Sequence, residues 1–502
     1  MTPFFSIIIP TYNAGSTLDM ALASVVNQTY RNIEILIIDG ISTDSTLDIA
    51  RRYQKEFPNM IITSERDKGV YDAMNKGIKL ASGEWIYFMG SDDALYDNCI
   101  LKKISETYNV NSLDVIYGNI TSPRFGGIYD GEFTPRKIIL KNICHQAIFL
   151  NKKVFDEIGN FNLKYKYHAD WDHNIRWFFT DKISHKYVDL VIANYADGGL
   201  SSQNEDLVFK KYRKQNYPLV SICIPTFNGA EFIAEALESA IVQTYTNLEI
   251  VVSDDDSDDN TLEIIESYKN LTDIPIHVFH HVPNGIGANW NNCVHYASGD
   301  YIKFLFQDDL MTPDCIDKMM QLALVDKKVG LVYCTRDFLI SGNPDDFKIW
   351  LNKCSVLHKS WCNLEIKDGI ISGKRYLKDA FFMRSPSNKI GEPTAVLLKK
   401  ACFDKVGYFN NDLKQSLDIE FWYRLMPYYS IGFVDENLVT FRLHSNQATA
   451  VNNKNNINEK PMLQAIYYKT IFWHLHPRER WKLFKKYSKT GDIYRRLKSI
   501  FK

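Results

Sequence analysis

Ser6–Thr46 reads SIIIPTYNAGSTLDMALASVVNQTYRNIEILIIDGISTDST, and Ser221–Thr261 reads SICIPTFNGAEFIAEALESAIVQTYTNLEIVVSDDDSDDNT. The two align at a constant offset of 215, far longer than any solenoid period, so a whole domain is duplicated. Each copy opens on an apolar run ending at proline, Ile7–Pro10 and Ile222–Pro225, as a strand buried on both faces does. Leu18, Leu22 and Val25 in one copy, and Ile233, Leu237 and Ala240 in the other, are spaced for one face of a helix, with Ser16 a suitable N-cap in the first. A second apolar run, Ile33–Ile38 or Leu248–Val252, ends in acid: Asp39 in one copy, Asp254 and Asp255 in the other. Strand, helix and strand make a βαβ unit. Ligands of such sheets bind beyond the carboxyl ends of the strands. Pro10, Thr11, Tyr12, Asn13 and Asp39 are therefore expected to line one crevice, and Pro225, Thr226, Phe227, Asn228 and Asp254 a second.

Further along, Gly83–Asp93 (GEWIYFMGSDD) repeats as Gly299–Asp309 (GDYIKFLFQDD) at an offset of 216, one residue having been inserted between. Adjacent carboxylates just past a buried strand repel each other unless a cation or a set of donors compensates them. One such pair alone reads as an Asp-rich turn capping a helix; its recurrence favours a divalent ion, Mn²⁺ or Mg²⁺, bridging to a diphosphate. Asp92, Asp93, Asp308 and Asp309 are the candidate ligands.

The 502 residues suit two domains and an appendage: 1–215, 216–455 and a tail, 456–502. Apolar residues at 45% and charged residues at 24% exclude a disordered or collagen-like chain. The nine cysteines form no C-x-x-C pair and are odd in number, as expected of reduced thiols in the cytoplasm. No stretch reaches the roughly 18 apolar residues of a membrane span, and residues 1–9 run into Pro10 as a strand rather than a signal sequence.

Taken together, PTYN, the S-x-D-x-T segments (Ser42, Asp44, Thr46; Ser257, Asp259, Thr261), GEWI/GDYI and the paired acids resemble family 2 glycosyltransferases of the GT-A fold, over roughly residues 4–200 and 219–450. The resemblance implies an α/β architecture: two Rossmann-like GT-A domains in tandem, plus a basic helical C-terminal tail. The family places an acid two positions before the first Asp of the pair, where this chain has Gly90 and Phe306; Asp92 and Asp308 are left as the main ligands. By the same resemblance, Asp170 and Asp418 deprotonate the acceptor hydroxyl, each followed six residues on by arginine, Arg176 or Arg424. Burial raises a carboxylate toward the working range of a base; a helix acid merely paired with arginine is the alternative. Trp171 and Trp422 read either as a sugar platform or as core. His145-Gln146 and Glu392-Pro393 resemble acceptor-side segments. Phe441–His444 resembles an R-x-H segment whose histidine completes the metal shell, and a neutral imidazole suits Mn²⁺. The first copy has Asp197–Ser201 there.

Residues 478–502 carry ten Lys or Arg against Glu479 and Asp492, a net of +8, which leaves −9 for the rest of a chain of total charge −1. Trp481, Phe484, Tyr494, Leu497 and Phe501 interleave with these cations as in helices lying on an anionic membrane. A nucleic-acid tail and a plain solvated helix are the other readings; lipid-linked acceptors at the cytoplasmic face favour the membrane, with no nucleic-acid partner. The expected activity is inverting transfer from a nucleotide diphosphate sugar to a glycan or lipid-linked glycan of the bacterial surface, with both domains active. One catalytic domain beside a carbohydrate-binding or scaffold domain is the alternative. A nucleotidyltransferase would show a Gly-rich basic loop after the first strand, which PTYNAG and PTFNGA do not offer.

Overall fold

The computed structural model describes residues 4–107, 112–123, 126–129, 131–196, 206–445, 447 and 457–491. They form two compact units, Met1–Gln215 and Asn216–Lys502.

In the first unit the strands are β1 (Phe5–Thr11), β2 (Ile33–Asp39), β3 (Met60–Ser64), β4 (Trp85–Phe88), β5 (Ala94–Leu95), β6 (Val115–Ser122), β7 (Gly127–Tyr129), β8 (Ile148–Asn151) and β9 (His185–Asn194). They make one sheet in the order β3-β2-β1-β4-β8-β6-β9-β5, with β7 paired to β6. β1 to β4 run parallel, and β8 enters antiparallel between β4 and β6.

The second unit has β10 (Val220–Thr226), β11 (Leu248–Asp254), β12 (Ile276–His280), β13 (Tyr301–Phe304), β14 (Leu310–Met311), β15 (Val329–Ile340), β16 (Gly369–Ser372), β17 (Val396–Lys399) and β18 (Ser430–Leu443). Their order, β12-β11-β10-β13-β17-β15-β18-β14, is that of the first sheet; the ninth strand, β16, pairs with β18 instead.

Helices cover both sheet faces, which is why the first strands carry continuous apolar runs such as Ile7–Ile9 and Ile35–Ile38. Ile222 and Ile224 of β10 and Ile250 and Val252 of β11 join Leu237 of the helix Ile233–Ile241 on one side. Cys223 and Val251, between them in sequence, join Phe403 and Trp422 on the other. Each such aliphatic side chain stabilises the fold by about 1.5–3 kcal/mol when fully buried.

The register sets the acids at one rim. Thr11 pairs with Asp39 and Asp39 with Ser64, at the carboxyl ends of three parallel strands; Thr226, Asp254 and His280 repeat this. At the opposite ends a second acid is buried in each unit, Glu34 or Glu249. It accepts from Ser6 and the Ser82 and Gly83 amides in one unit, and from Ser221 and the Ser298 amide in the other.

The stretch 456–502, read as a basic helical tail, does carry helices. The helices Lys460–Thr470 and Pro477–Tyr487 are built into the second unit, with Leu463, Tyr467, Ile471, Leu475 and Leu483 in its core. Trp481 is 50% and Trp473 76% exposed, while Tyr494, Leu497 and Phe501 lie outside the described residues. No described helix is long and apolar enough to cross a membrane.

Candidate functional site

In each unit the S-x-D-x-T segment folds back and grips the turn after the first strand. Asn13 and Asn228 take left-handed backbone angles, φ 49° and 46°, which asparagine tolerates better than most residues. The amide of Asn13 donates to Ser42 Oγ (2.8 Å), that of Ala14 to Thr46 Oγ1 (2.7 Å) and that of Gly15 to Asp44 Oδ2 (2.9 Å). Asn228, Gly229 and Ala230 donate likewise to Ser257, Thr261 and Asp259. These hydroxyls and carboxylates shape the crevice wall, leaving Tyr12 and Phe227 69% and 54% exposed at its mouth.

Asp39 is fully buried. Its oxygens accept from Thr11 Oγ1 (3.1 Å), Ser42 Oγ (2.5 Å), the Ser42 amide (3.0 Å) and Ser64 Oγ (2.6 Å). Burial pushes its pKa up, but these donors outweigh it and hold the carboxyl below its ordinary value. Asp254 has the Thr226 and Ser257 bonds. In place of the serine it has His280, 62% exposed, with Nδ1 3.7 Å away.

The acid pairs divide their labour, which corrects the expectation that all four acids face an ion. Asp93 is buried: it accepts from Gln146 Nε2 (2.6 Å), the Gly90 amide (3.2 Å) and the Ala196 amide (2.9 Å). Asp309, also buried, accepts from Thr394 Oγ1 (2.6 Å) and the Arg442 amide (3.0 Å). Burial and the adjoining Asp308 drive the Asp309 carboxyl upward in pKa; burial does the same for Asp93 despite its donors. Both tie the strand end to the acceptor-side segment. Asp92 and Asp308 are left partly exposed in the crevice. A Cβ at Gly90 would meet the carboxylates of Asp92 and Asp93 as they stand, whereas Phe306 fills the equivalent place in the second unit.

His444 Nε2 is 3.0 Å from Asp308 Oδ2. Arg442 braces the pair: its Nε donates to the Asp308 carbonyl (2.8 Å), its terminal nitrogen to Glu235 (2.8 Å), and its guanidinium lies 4.5 Å over the Phe232 ring. Ala196, whose amide meets Asp93 as that of Arg442 meets Asp309, holds the arginine's place in the first unit. Asp197–Ser201 lie outside the described residues. Among the described residues no three His, Cys, Asp or Glu side chains form a metal cluster. One or two hard protein ligands facing a crevice fit an ion that fills its shell with phosphate oxygens and water.

Asp170 and Asp418 begin the helices Ala169–Phe178 and Leu417–Leu425, and both are buried. Asp170 accepts from Tyr71 Oη (2.7 Å), Asn142 Nδ2 (2.9 Å) and the Trp171 amide (2.9 Å), and His145 Nδ1 stands 3.6 Å off. Burial favours its neutral form, but His145 and the other donors reverse this and leave its pKa lowered. The expectation of a raised value fails there. Among the described residues Asp418 accepts only from Asn388 Nδ2 (2.8 Å) and the Ile419 amide (2.7 Å), and burial lifts its pKa to about 8. Arg176 and Arg424 are structural: each pairs with the acid four residues before it, Asp172 or Glu420, and caps the carbonyls ending a neighbouring helix. Trp171 and Trp422 are core, their indole N–H groups bonded to the Ile138 and Gly391 carbonyls; neither is a sugar platform.

Sequence reasoning missed the helices Val70–Leu80 and Ile286–Tyr296, which bring Tyr71 to Asp170 and bind Asn75 and Asn291 to Phe161 and Phe409 by paired backbone bonds. The signal was present: Gly69 and Asn75 recur as Gly285 and Asn291, at the offset of 216.

Residues 6–174 and 221–393 match glycosyl transferase family 2. The chain belongs to that family. A PGL/p-HBAD biosynthesis glycosyltransferase of Mycobacterium tuberculosis (strain ATCC 25177 / H37Ra) is 41% identical over 216 residues, 42% of this chain and 83% of the relative. An uncharacterized glycosyltransferase of Rickettsia typhi is 31% identical over 239 residues, 47% and 68% of the two chains. Among solved structures, S. aureus TarS 1-349 in complex with UDP-GlcNAc is similar at TM-score 0.38 and 18% identity, over 53% of this chain and 69% of that one. A mannosyltransferase of Pyrobaculum calidifontis in complex with GDP-Man and Mn²⁺ is similar at 0.36 and 18%, over 57% and 81%. The protein is a glycosyltransferase, and its two units are family 2 domains of the GT-A fold in tandem.

Proposed function

We propose that each unit is an inverting transfer site for a nucleotide diphosphate sugar, and that the chain adds two sugars to a growing bacterial surface glycan. The observation that carries this reading is the repeated crevice, in which a partly exposed acid, Asp92 or Asp308, and a buried carboxylate, Asp170 or Asp418, recur on equivalent elements. Pro10–Asn13 with Asp39, and Pro225–Asn228 with Asp254, form the wall for the nucleotide. Asp92, or Asp308 with His444, would hold Mn²⁺ or Mg²⁺. Such an ion neutralises charge building on a leaving diphosphate. Asp170 and Asp418 mark the side from which the acceptor's proton is removed, and a single displacement inverts the anomeric carbon. Relatives named for biosynthesis support a role in building a glycan.

The basic C-terminal segment would hold the enzyme on anionic lipid at the inner face of the membrane, near a lipid-linked acceptor. Exposed Trp473 and Trp481 beside Arg478, Arg480 and Lys482 support this. Incubating the protein with Mn²⁺ or Mg²⁺ and a panel of UDP-, GDP- and dTDP-sugars tests the donor reading. Release of nucleoside diphosphate that excess EDTA abolishes is expected, and full activity in EDTA removes the metal.

A further inference from the structure

We propose that in the first unit the imidazole of His145 takes the acceptor's proton while Asp170 orients and compensates that ring; in the second unit the Asp418 carboxylate takes the proton itself. The inference rests on reading each crevice as a transfer site.

His145 stands beside Asp170, on a turn that also reaches Asp93. It opens the short turn His145–Ala147 before β8, and its neighbour Gln146 is bonded to Asp93 at 2.6 Å on the donor side. Its own Nδ1 faces Asp170 Oδ2 at 3.6 Å. The imidazole is 24% exposed against 9% for the Asp170 side chain, and its Nε2 has no hydrogen-bond partner among the described residues. Asp170 is closed off by comparison: Tyr71, Trp171 and Asn142 already supply three donors to its two oxygens. A carboxylate so furnished is a weak base but a good anchor for a cationic ring. The 3.6 Å separation is long for a hydrogen bond, and such contacts commonly tighten only when substrate closes the site.

The second unit lacks each part of this arrangement. Gln146 and Thr394 make the same bond to the second acid of the pair, which puts Pro393 at the place of His145. Gly287 holds the place of Tyr71, and a Cβ there would lie 2.7 Å from Leu417 Cδ2, so no tyrosine fits. Asp418, with two donors and no imidazole, is left as the base, and its raised pKa suits that task.

The step balances. The acceptor oxygen forms its bond to the anomeric carbon as the bond from that carbon to the diphosphate oxygen breaks. The diphosphate leaves with the electron pair, and the acceptor's proton passes to Nε2. Nδ1–H stays on the ring, donating to Asp170, and the imidazolium later returns its extra proton to water.

The full chain carrying Asp418→Asn reports the first transfer alone. In it, His145→Gln is expected to lower kcat by roughly 10²-fold or more, with the donor KM within about twofold. Added imidazole is expected to restore about tenfold or more of the activity lost in His145→Ala, which a merely structural histidine would not allow. Two carboxylates face the ring, Asp170 and Asp93, with Tyr71 behind the first. Asp170→Asn should therefore move the NMR titration of His145, assigned by its loss in His145→Gln. A His145→Gln chain within about threefold of the parent kcat, or a His145→Ala chain that imidazole does not rescue, removes His145 as base and leaves the transfer reading standing. An unmoved titration removes the His145–Asp170 pair whatever the activity. A chain with native His145 that makes no first product removes the unit as a transfer site and the proton step with it, even where the titration moves.

Discussion

Asp170 and Asp418 occupy the first turn of equivalent helices, each followed at the same spacing by an arginine that caps the same neighbouring element. Their surroundings nevertheless push them in opposite directions. His145, Tyr71 and the Trp171 amide lower the pKa of the first, whereas Asn388 is the only side chain among the described residues bonded to the second, which burial lifts to about 8. The diphosphate side is reversed: the second unit has Arg442 and His444 at Asp308, the first Ala196 at the arginine's place. One duplicated frame thus concentrates its supporting charge around Asp170 in one copy and around Asp308 in the other. Duplication kept the backbone network and let the side chains around each acid diverge.

The largest effect should come from removing the two carboxylates separately. Asp170→Asn and Asp418→Asn should each abolish one transfer and spare the other, the loss amounting to roughly 10²-fold or more. If the first sugar is the acceptor for the second, mass spectrometry will find a one-sugar intermediate with one variant and no product with the other. Either variant retaining both transfers at full rate would make its unit a binding or scaffold domain.

The rates should separate with pH as well. A base must be deprotonated, so the second transfer should climb about tenfold per pH unit up to about 8 and level off above it. Asp170, with its pKa lowered, imposes no such limb on the first transfer. Product-resolved kcat/KM between pH 5.5 and 9 checks this; two profiles rising together to pH 8 would collapse the distinction.

Metal dependence sharpens the other half. His444→Ala and Arg442→Ala should weaken activation of the second transfer by Mn²⁺ roughly tenfold or more, by analogy with ligand and supporting-residue losses elsewhere. The first transfer, which lacks both groups, should be unmoved. Titrating Mn²⁺ and Mg²⁺ against each product gives the answer, and equal losses in the two transfers would mean that the ion is not held this way.

Much of this comparison was legible in the sequence. The duplicated segment fixed the parallel strands and the rim where the acids gather, because apolar runs and acidic ends are local patterns. The roles within each motif were not legible. Asp92 and Asp93 are adjacent, and only the pleat and the donors from Gln146 and Ala196 turn one inward. The S-x-D-x-T residues read only as part of the resemblance, and the fold shows that they grip the turn at Asn13 and Asn228. Tyr71 and Asp170 are 99 positions apart and meet at 2.7 Å, so no window on the sequence joins them. The C-terminal helices were read from charge and interleaved aromatic and apolar residues, and neither reveals that Leu483 is buried in the second core.

Stability offers a test with opposite signs. Asp170 has a folded pKa below its unfolded one, so it stabilises above an unfolded value of about 3.9, and that contribution is lost as pH falls through the folded value. Asp418 has a folded pKa of about 8. Between about 4 and 8 the folded state keeps a proton that the unfolded state has given up, so stability falls as pH rises through that window and stays low above it. Asp418→Asn should therefore raise the Tm of the second unit at pH 8.5, and Asp170→Asn should lower that of the first at pH 7, by roughly 2–4 °C per kcal/mol. Calorimetry of the full chain that finds both shifts of one sign would contradict the electrostatic contrast.

The smallest effect concerns the basic helical segment at the end of the second unit. Deleting residues 478–502 would be a poor probe, because Leu483 and Glu479 are buried and their loss would open the core. Trp473→Ala with Trp481→Ala removes two exposed rings and leaves the packed face of both helices intact. Co-sedimentation with anionic vesicles should fall a few-fold, since each ring supplies only part of the attachment and the cations remain. Raising salt should weaken the binding further, because attraction between cations and lipid head groups is screened within about 8 Å at physiological ionic strength. Transfer to a soluble acceptor should not change, as neither tryptophan belongs to a crevice. Vesicle binding that neither the double substitution nor salt alters would assign the charge of this segment to solvation alone and leave the second unit without a membrane role.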